Sequence, residues 1–128
     1  MSDESNPKRK RYIIEFGIGL DMHGQDVGKA ARKAVQDAVS RSCLSGLSEV
    51  LGLDDLDKEV FIKVTVAVSD PERVDAQAIA DCLPVGKVDV TAVKGGLKVP
   101  GLYIPAFGDT DDSIEAALAA VEVYIGQY

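Results

Sequence analysis

Tryptophan is absent and aromatic residues make up 5% of the chain. A core must therefore be assembled from Val, Ile, Leu and Ala, which suit packed strands and helices. Cysteine is limited to Cys43 and Cys82, each in an apolar, helix-like stretch. Neither has a second Cys or a His at ligand spacing. That excludes a disulfide framework and predicts reduced, buried thiols, as in a cytoplasmic protein. No run of 18 apolar residues exists, so no transmembrane helix is expected. Residues Met1–Lys10 contain no apolar stretch, which excludes a secretory signal. Excess positive charge is also missing. The formal net charge is −7 and the pI about 4.6, so the mean field repels phosphate. A general nucleic-acid or anionic-membrane role is excluded on that ground.

What remains is 128 residues with 46% hydrophobic content, enough for one domain around one core. Residues 1–10 read as a solvated tail, and 11–128 as a single domain. The basic cluster Lys8, Arg9, Lys10 and Arg11 is read as part of a solubilising tail rather than a phosphate-binding arm.

The hydrophobic periods then set the elements. Tyr12, Ile14, Phe16, Ile18 and Leu20 alternate with Ile13, Glu15, Gly17 and Gly19, which predicts a strand. Val27, Ala30, Ala31, Ala34, Val35 and Ala38 recur at helical spacing over 25–41. Leu44, Leu47, Val50 and Leu51 suggest a second helical piece that stops at Gly52. Val60, Ile62, Val64, Val66 and Val68 mark a strand over 59–69. Asp70-Pro71 predicts a helix start, with the helix ending before Pro84. Val88, Val90 and Ala92 centre a third strand, and 97–104 a fourth, broken at Pro100-Gly101. Ile114, Ala117, Leu118, Val121 and Ile125 are read as a final helix with Thr110 as its N-cap. The expected order is β-α-β-α-β-β-α. This is an α/β sandwich with one four-stranded mixed sheet and helices mainly on one face. The opposite face, including Ile13, Phe61, Thr65 and Ala67, is too apolar for open water, which predicts a homo-oligomer.

The segment richest in chemistry is Gly17-Ile18-Gly19-Leu20-Asp21-Met22-His23-Gly24, at the end of the first strand and just before the first helix. In α/β proteins strand ends open a crevice, and helix N-termini present N–H groups to it. His23 is the single His of the chain. Continued alternation puts Glu15, Asp21 and His23 on one face, with Gly17 and Gly19 leaving bare backbone between them. A carboxylate two residues from an imidazole can orient a general base or share a metal. Glycines in a strand also permit close packing, and Asp can cap the next helix. The third Gly of a dinucleotide fingerprint is lacking, since Met22 stands there.

The pattern G-x-G-x-D-x-H-G, carried by Gly17, Gly19, Asp21, His23 and Gly24, resembles the hallmark of a small family of conserved hypothetical proteins of scattered bacteria and plants. The resemblance runs on through Gln25-Asp26 and Lys29-Ala30-Ala31. It resumes at Asp70-Pro71-Glu72-Arg73-Val74-Asp75, Leu83-Pro84, Gly95-Gly96 and Gly108-Asp109-Thr110, covering roughly residues 11–125. It implies membership and carries no assigned activity.

A second cluster, Asp109, Asp111 and Asp112, has the oxygen donors for Mg²⁺ or Ca²⁺ but not the spacing of an EF-hand. Capping of the following helix, with dipole compensation, accounts for it more simply. Lys29 lies one turn into the first helix, near the crevice. Ser42 and Ser45 have no His nearby in sequence. The expected function is an enzyme acting on a small molecule, possibly a hydrolase. Asp21, His23 and Lys29 are its candidate catalytic groups; Gly17, Gly19, Gly24 and Asp109 are candidate ligand contacts. Neither a metal nor a cofactor is specified. The alternative is a non-catalytic homo-oligomeric binding or scaffold protein, in which the glycine motif packs an interface.

Overall fold

Two glycines on the first strand determine how the layers meet. The computed structural model describes residues 9–40, 46–83 and 85–126. Strand β1 spans Lys10–Asp21 and helix α1 Val27–Ser40. A Cβ on Gly17 would stand 2.1 Å from the Ala34 carbonyl oxygen and 2.4 Å from the Ala38 nitrogen. One on Gly19 would stand 2.1 Å from the Ala30 carbonyl oxygen. The helix backbone therefore lies directly on the strand, an approach that excludes any side chain at these two positions. The expected stripe Val27, Ala30, Ala31, Ala34, Val35 and Ala38 is buried in full.

Short helices α2 (Gly46–Glu49) and α3 (Leu56–Glu59) lead into strand β2, Val60–Val68. Leu47 of the expected second helical piece is buried, whereas Val50 is exposed. Leu44, Ser42, Ser45 and Cys43 lie outside the described residues. After β2 the chain makes a 3₁₀ turn at Pro71–Arg73. Helix α4, Ala76–Ala80, follows and is capped by the Asp75 carboxylate, which accepts from the Gln77 and Ala78 N–H groups. The Asp70-Pro71 pair thus opens a 3₁₀ turn rather than one continuous helix, and the α-helix starts at the second acceptor, Asp75. The expected stop at Pro84 lies outside the described residues. Cys82, just beyond α4, is half-buried and unpaired with any cysteine among the described residues. Burial raises its thiol pKa.

Strands β3 (Lys87–Lys94) and β4 (Leu97–Pro100) follow, then a 3₁₀ turn at Pro105–Phe107. The last element corrects the expected final helix. Residues Ser113–Ile125 form strand β5, the longest among the described residues. It lies at the centre of the sheet, order β1-β5-β2-β3, and β4 also pairs with it. It runs antiparallel to β1, with Gly17 opposite Ala119 and Gly19 opposite Ala117. It is also antiparallel to β2, with Val64 opposite Val121. β2 and β3 are parallel. The result is an α/β fold with one mixed five-stranded sheet packed against a helix, its order near β-α-β-β-β-β.

The spacing of Ile114, Ala117, Leu118, Val121 and Ile125 predicts a helix here, and alanine, the best helix former, is frequent in the stretch. Tertiary packing overrides that propensity. Ala117 and Ala119 face α1, buried, where the close helix admits nothing larger.

The sidedness of β1 is also reversed relative to expectation. The Glu15, Gly17, Gly19 and Asp21 face is buried, and Phe16, Ile18 and Leu20 are exposed on the face without α1. The bulky stripe looks like a core face by hydrophobicity, but only the glycine face has room for a helix. Phe61, Thr65 and Ala67 of β2 do lie on the open face, as expected. Strand β1 begins at Lys10, and the Arg9 guanidinium lies 4.5 Å from the centroid of the Phe61 ring. Met1–Lys8 of the expected tail lie outside the described residues. Among the described residues, no helix is long and apolar enough to cross a membrane.

Candidate functional site

Between β1 and α1 the chain turns through Met22–Asp26, and two carboxylates hold this turn. Gly24 and Gln25 both have positive φ, +91° and +50°. For Gln25, a residue with a Cβ, that is an uncommon and costly conformation. It is held by the surroundings. The Gln25 side chain is buried. Its amide nitrogen donates to Asp109 Oδ1 at 3.1 Å and to the Ser113 carbonyl at 3.0 Å. Its amide oxygen accepts from the Thr110 N–H at 2.8 Å. Its backbone carbonyl accepts from Arg73 at 3.1 Å.

Asp109 is the hub. Its carboxylate accepts from the Gly24 N–H at 2.8 Å through Oδ1 and from the Ile104 N–H at 2.8 Å through Oδ2. The same Oδ2 is 2.8 Å from His23 Nδ1. The Asp109 side chain is fully buried, while that of His23 is 31% exposed. Burial alone would raise the Asp109 pKa. The hydrogen bonds from His23, Ile104, Gly24 and Gln25 outweigh it and hold the carboxyl far below the usual range. An ionised acceptor at Nδ1 makes that nitrogen the donor. In the neutral ring, Nε2 then carries the lone pair. The Phe107 ring meets the imidazole edge to face, centroids 5.0 Å apart, and steadies it further. Phe107, Tyr103, Leu102 and Met22 are all exposed, so this end of the sheet has apolar side chains in water.

Asp21 acts on the other side of the turn. It is buried, and its Oδ2 accepts from the Asp26 N–H at 2.7 Å. Asp26 in turn caps α1, its Oδ1 accepting from the Lys29 N–H at 3.0 Å in the manner of an N-cap. The Lys29 ammonium lies 3.9 Å from Asp21 Oδ1.

The expected site is therefore partly regrouped. His23 and Asp109 meet, and Gly24 donates to the same carboxylate. Asp21 and Lys29 pair with each other, and Asp21 does not orient the imidazole; Asp109 does. Gly17 and Gly19 sit beneath α1 rather than along a crevice, because the helix fills the space their missing side chains leave. Gln25, Arg73, Ile104 and Phe107 carry much of the geometry, and residue chemistry alone did not single them out. A positive-φ Gln cannot be read from a sequence. Asp111 accepts from Ser113 N–H and Oγ, at 2.7 and 2.5 Å, which lowers its pKa. The cluster is expected to cap a helix; with a strand in its place, Asp111 instead holds the turn into β5. Thr110 contacts Gln25 instead of starting a helix. Among the described residues no group of three His, Cys, Asp or Glu side chains is arranged to hold a metal ion.

Fold and site together define a class: a mixed sheet covered by one helix, with a histidine–carboxylate pair at the end of the edge strand. The chain belongs to the Lin0512 family of conserved hypothetical proteins, whose model matches residues 11–123. It is similar to the crystal structure of an FtsZ-like protein of unknown function from Nostoc punctiforme. The two are 42% identical, with a TM-score of 0.84, over 94% of this chain and 98% of that one. No curated protein matches the chain.

Proposed function

We propose that this protein acts on a small, partly apolar molecule at the end of β1, with His23 as the group that moves a proton. The single observation behind this reading is the 2.8 Å contact between the half-exposed His23 imidazole and the fully buried Asp109 carboxylate. A buried anion at Nδ1 fixes the ring and its tautomer and stabilises the imidazolium when Nε2 takes up a proton. These are the two things a general base requires of its partner. Asp109 is thus a positioning residue, and Nε2 the reacting atom. With a bound water as nucleophile the chemistry is hydrolysis: Nε2 accepts the water proton as the oxygen attacks an acyl carbon, and the imidazolium returns that proton to the leaving oxygen or nitrogen as its bond to the carbon breaks. The exposed side chains of Phe107, Tyr103 and Leu102 suit an apolar portion of the substrate.

A second reading is favoured by a different observation. Asp109 also binds Gly24, Gln25 and Ile104, which ties the β1–α1 turn to the segment before β5 with no chemistry required. His23→Asn separates the two. Its amide N–H stands close to the position of Nδ1 and preserves the bond to Asp109, but nothing replaces Nε2. Wild type and variant are assayed on a panel of small esters, amides and lactones. On the enzymatic reading turnover falls by about 100-fold or more, while the melting temperature holds. Equal activity of variant and wild type contradicts a reacting Nε2. Failure of the wild-type protein to turn over any panel member supports the structural reading.

A further inference from the structure

The sheet face that α1 leaves bare has a shape and a chemistry that call for a specific partner. Strand register brings Ile18, Leu118, Ala67 and Val93 into one row across β1, β5, β2 and β3. Phe16, Ala120, Thr65 and Thr91 form the next row. At the β4 end, Leu20 and Leu97 flank Ala116. Phe16 is 67% exposed, Ile18 56%, Leu97 62% and Leu118 50%. With Ile14 and Leu20 these side chains leave roughly 600 Å² of apolar surface in water, taking on the order of 200 Å² for a fully exposed large side chain. That is the upper end of what a monomer carries in one patch. The alanines and valines between them bring it toward the about 800 Å² per partner of a standard stable interface.

The face is also uneven in a particular way. Phe16 and Ile18 stand up along β1, Leu118 of β5 walls one end beside Ile18, and Thr65, Ala67 and Ala120 make a lower floor. Between ridge and floor lies a groove of about 340 Å³. Ridge and groove lie side by side on one surface, so a second copy, turned over, can seat its ridge in this groove and receive the first copy's ridge in its own.

Charge and edge geometry point the same way. The chain as a whole carries −7 and repels its own copies, but the apolar rows carry no charge. The next row, Ile14, Glu122, Lys63 and Asp89, holds both signs: Lys63 Nζ lies 3.8 Å from Glu122, and Arg11, from the neighbouring register position, 3.0 Å from the same carboxylate. The outer edge of β1 is blocked toward its end. Its Ile18 N–H donates to Asp37 at 2.9 Å, and its Leu20 carbonyl accepts from Lys33 at 3.0 Å. Side chains of α1 thus occupy groups an incoming strand would use beside the Phe16–Ile18 ridge, which favours approach to the face there.

We infer that the open sheet face is an interface between copies of this chain, with the Phe16–Ile18 ridge of one copy in the Thr65–Ala67–Ala120 groove of another. The inference does not depend on any chemistry at His23. Sedimentation equilibrium of the full chain from 1 to 100 μM tests it, with Phe16→Lys on the ridge and Thr65→Arg on the groove floor. Circular dichroism reports whether each variant keeps its sheet. The expected wild-type mass is a multiple of 13.6 kDa greater than one. The expected mass of each folded variant is that of a single chain, and Thr65→Arg alone decides the matter if Phe16→Lys does not fold. A wild type that stays a single chain throughout, or an assembly that the folded variants leave intact, overturns the inference.

Discussion

The two halves of the glycine–histidine motif face opposite demands. In the first half, Gly17 and Gly19 are useful for what they lack. Each lies within 2.1 Å of a helix carbonyl, measured from where a Cβ would be, and together they seat α1 on the sheet. In the second half, Asp21, His23 and Gly24 are useful for what they present: an acceptor for the Asp26 N–H, an imidazole for Asp109, and a positive-φ N–H for the same carboxylate. A motif read as one site is a packing device joined to a polar turn. The join is mechanical, since the glycines fix the helix whose first turn Asp21 and Asp26 cap.

Mutations that separate the halves should differ in size. The largest effect is expected from Gly19→Ala, where a methyl group meets backbone that has no rotamer to escape through. The cost is about 3 kcal/mol or more, read as a fall in melting temperature of roughly 10 °C or more. A loss below about 1 kcal/mol would mean that α1 is not held at this distance. Asp21→Ala comes next. It removes the acceptor of the part-buried Asp26 N–H and the partner of Lys29, for an expected loss of about 1–3 kcal/mol in urea unfolding. Lys29→Ala, at an exposed pair, should lose less than about 1 kcal/mol.

Acid should reveal the same turn. The Asp109 pKa is depressed in the fold from its ordinary 3.8, so the unfolded chain binds the proton first as pH falls. The stability this group contributes is therefore complete above about pH 4 and is lost as pH drops from there through the folded value. Asp109→Asn should be less stable at neutral pH and show a shallower acid limb. Asp111, lowered by Ser113, adds to the limb that remains. The smallest expected effect on stability is that of His23→Asn, within about 0.5–1 kcal/mol of wild type. Its consequence should appear in turnover instead.

How much of this was legible follows from where the information lies. Helix α1 and strands β1, β2 and β3 are visible because their periods are local and unbroken. Strand β5 is not: Ile114, Ala117, Leu118, Val121 and Ile125 recur at helical spacing, and the paired alanines between them blur the alternation a strand would show. The orientation of β1 was hidden for a related reason. Hydrophobicity assigns Phe16 and Ile18 to a core, whereas helix contact distance assigns the glycines to it. His23 stands out as the single histidine of the chain, but its partner lies 86 residues away. That pairing is set by the antiparallel return of β5 beside β1, which no local pattern encodes.

Because the chain contains one histidine, its imidazole can be observed without ambiguity. Nitrogen-15 correlation spectra of the ring at a pH where it is neutral report the tautomer directly. The proton is expected on Nδ1, held by Asp109, with Nε2 unprotonated, and Asp109→Asn should disturb this preference. A neutral ring protonated at Nε2, or one that interchanges freely between both forms in the wild-type protein, would contradict a His23 fixed by the buried carboxylate.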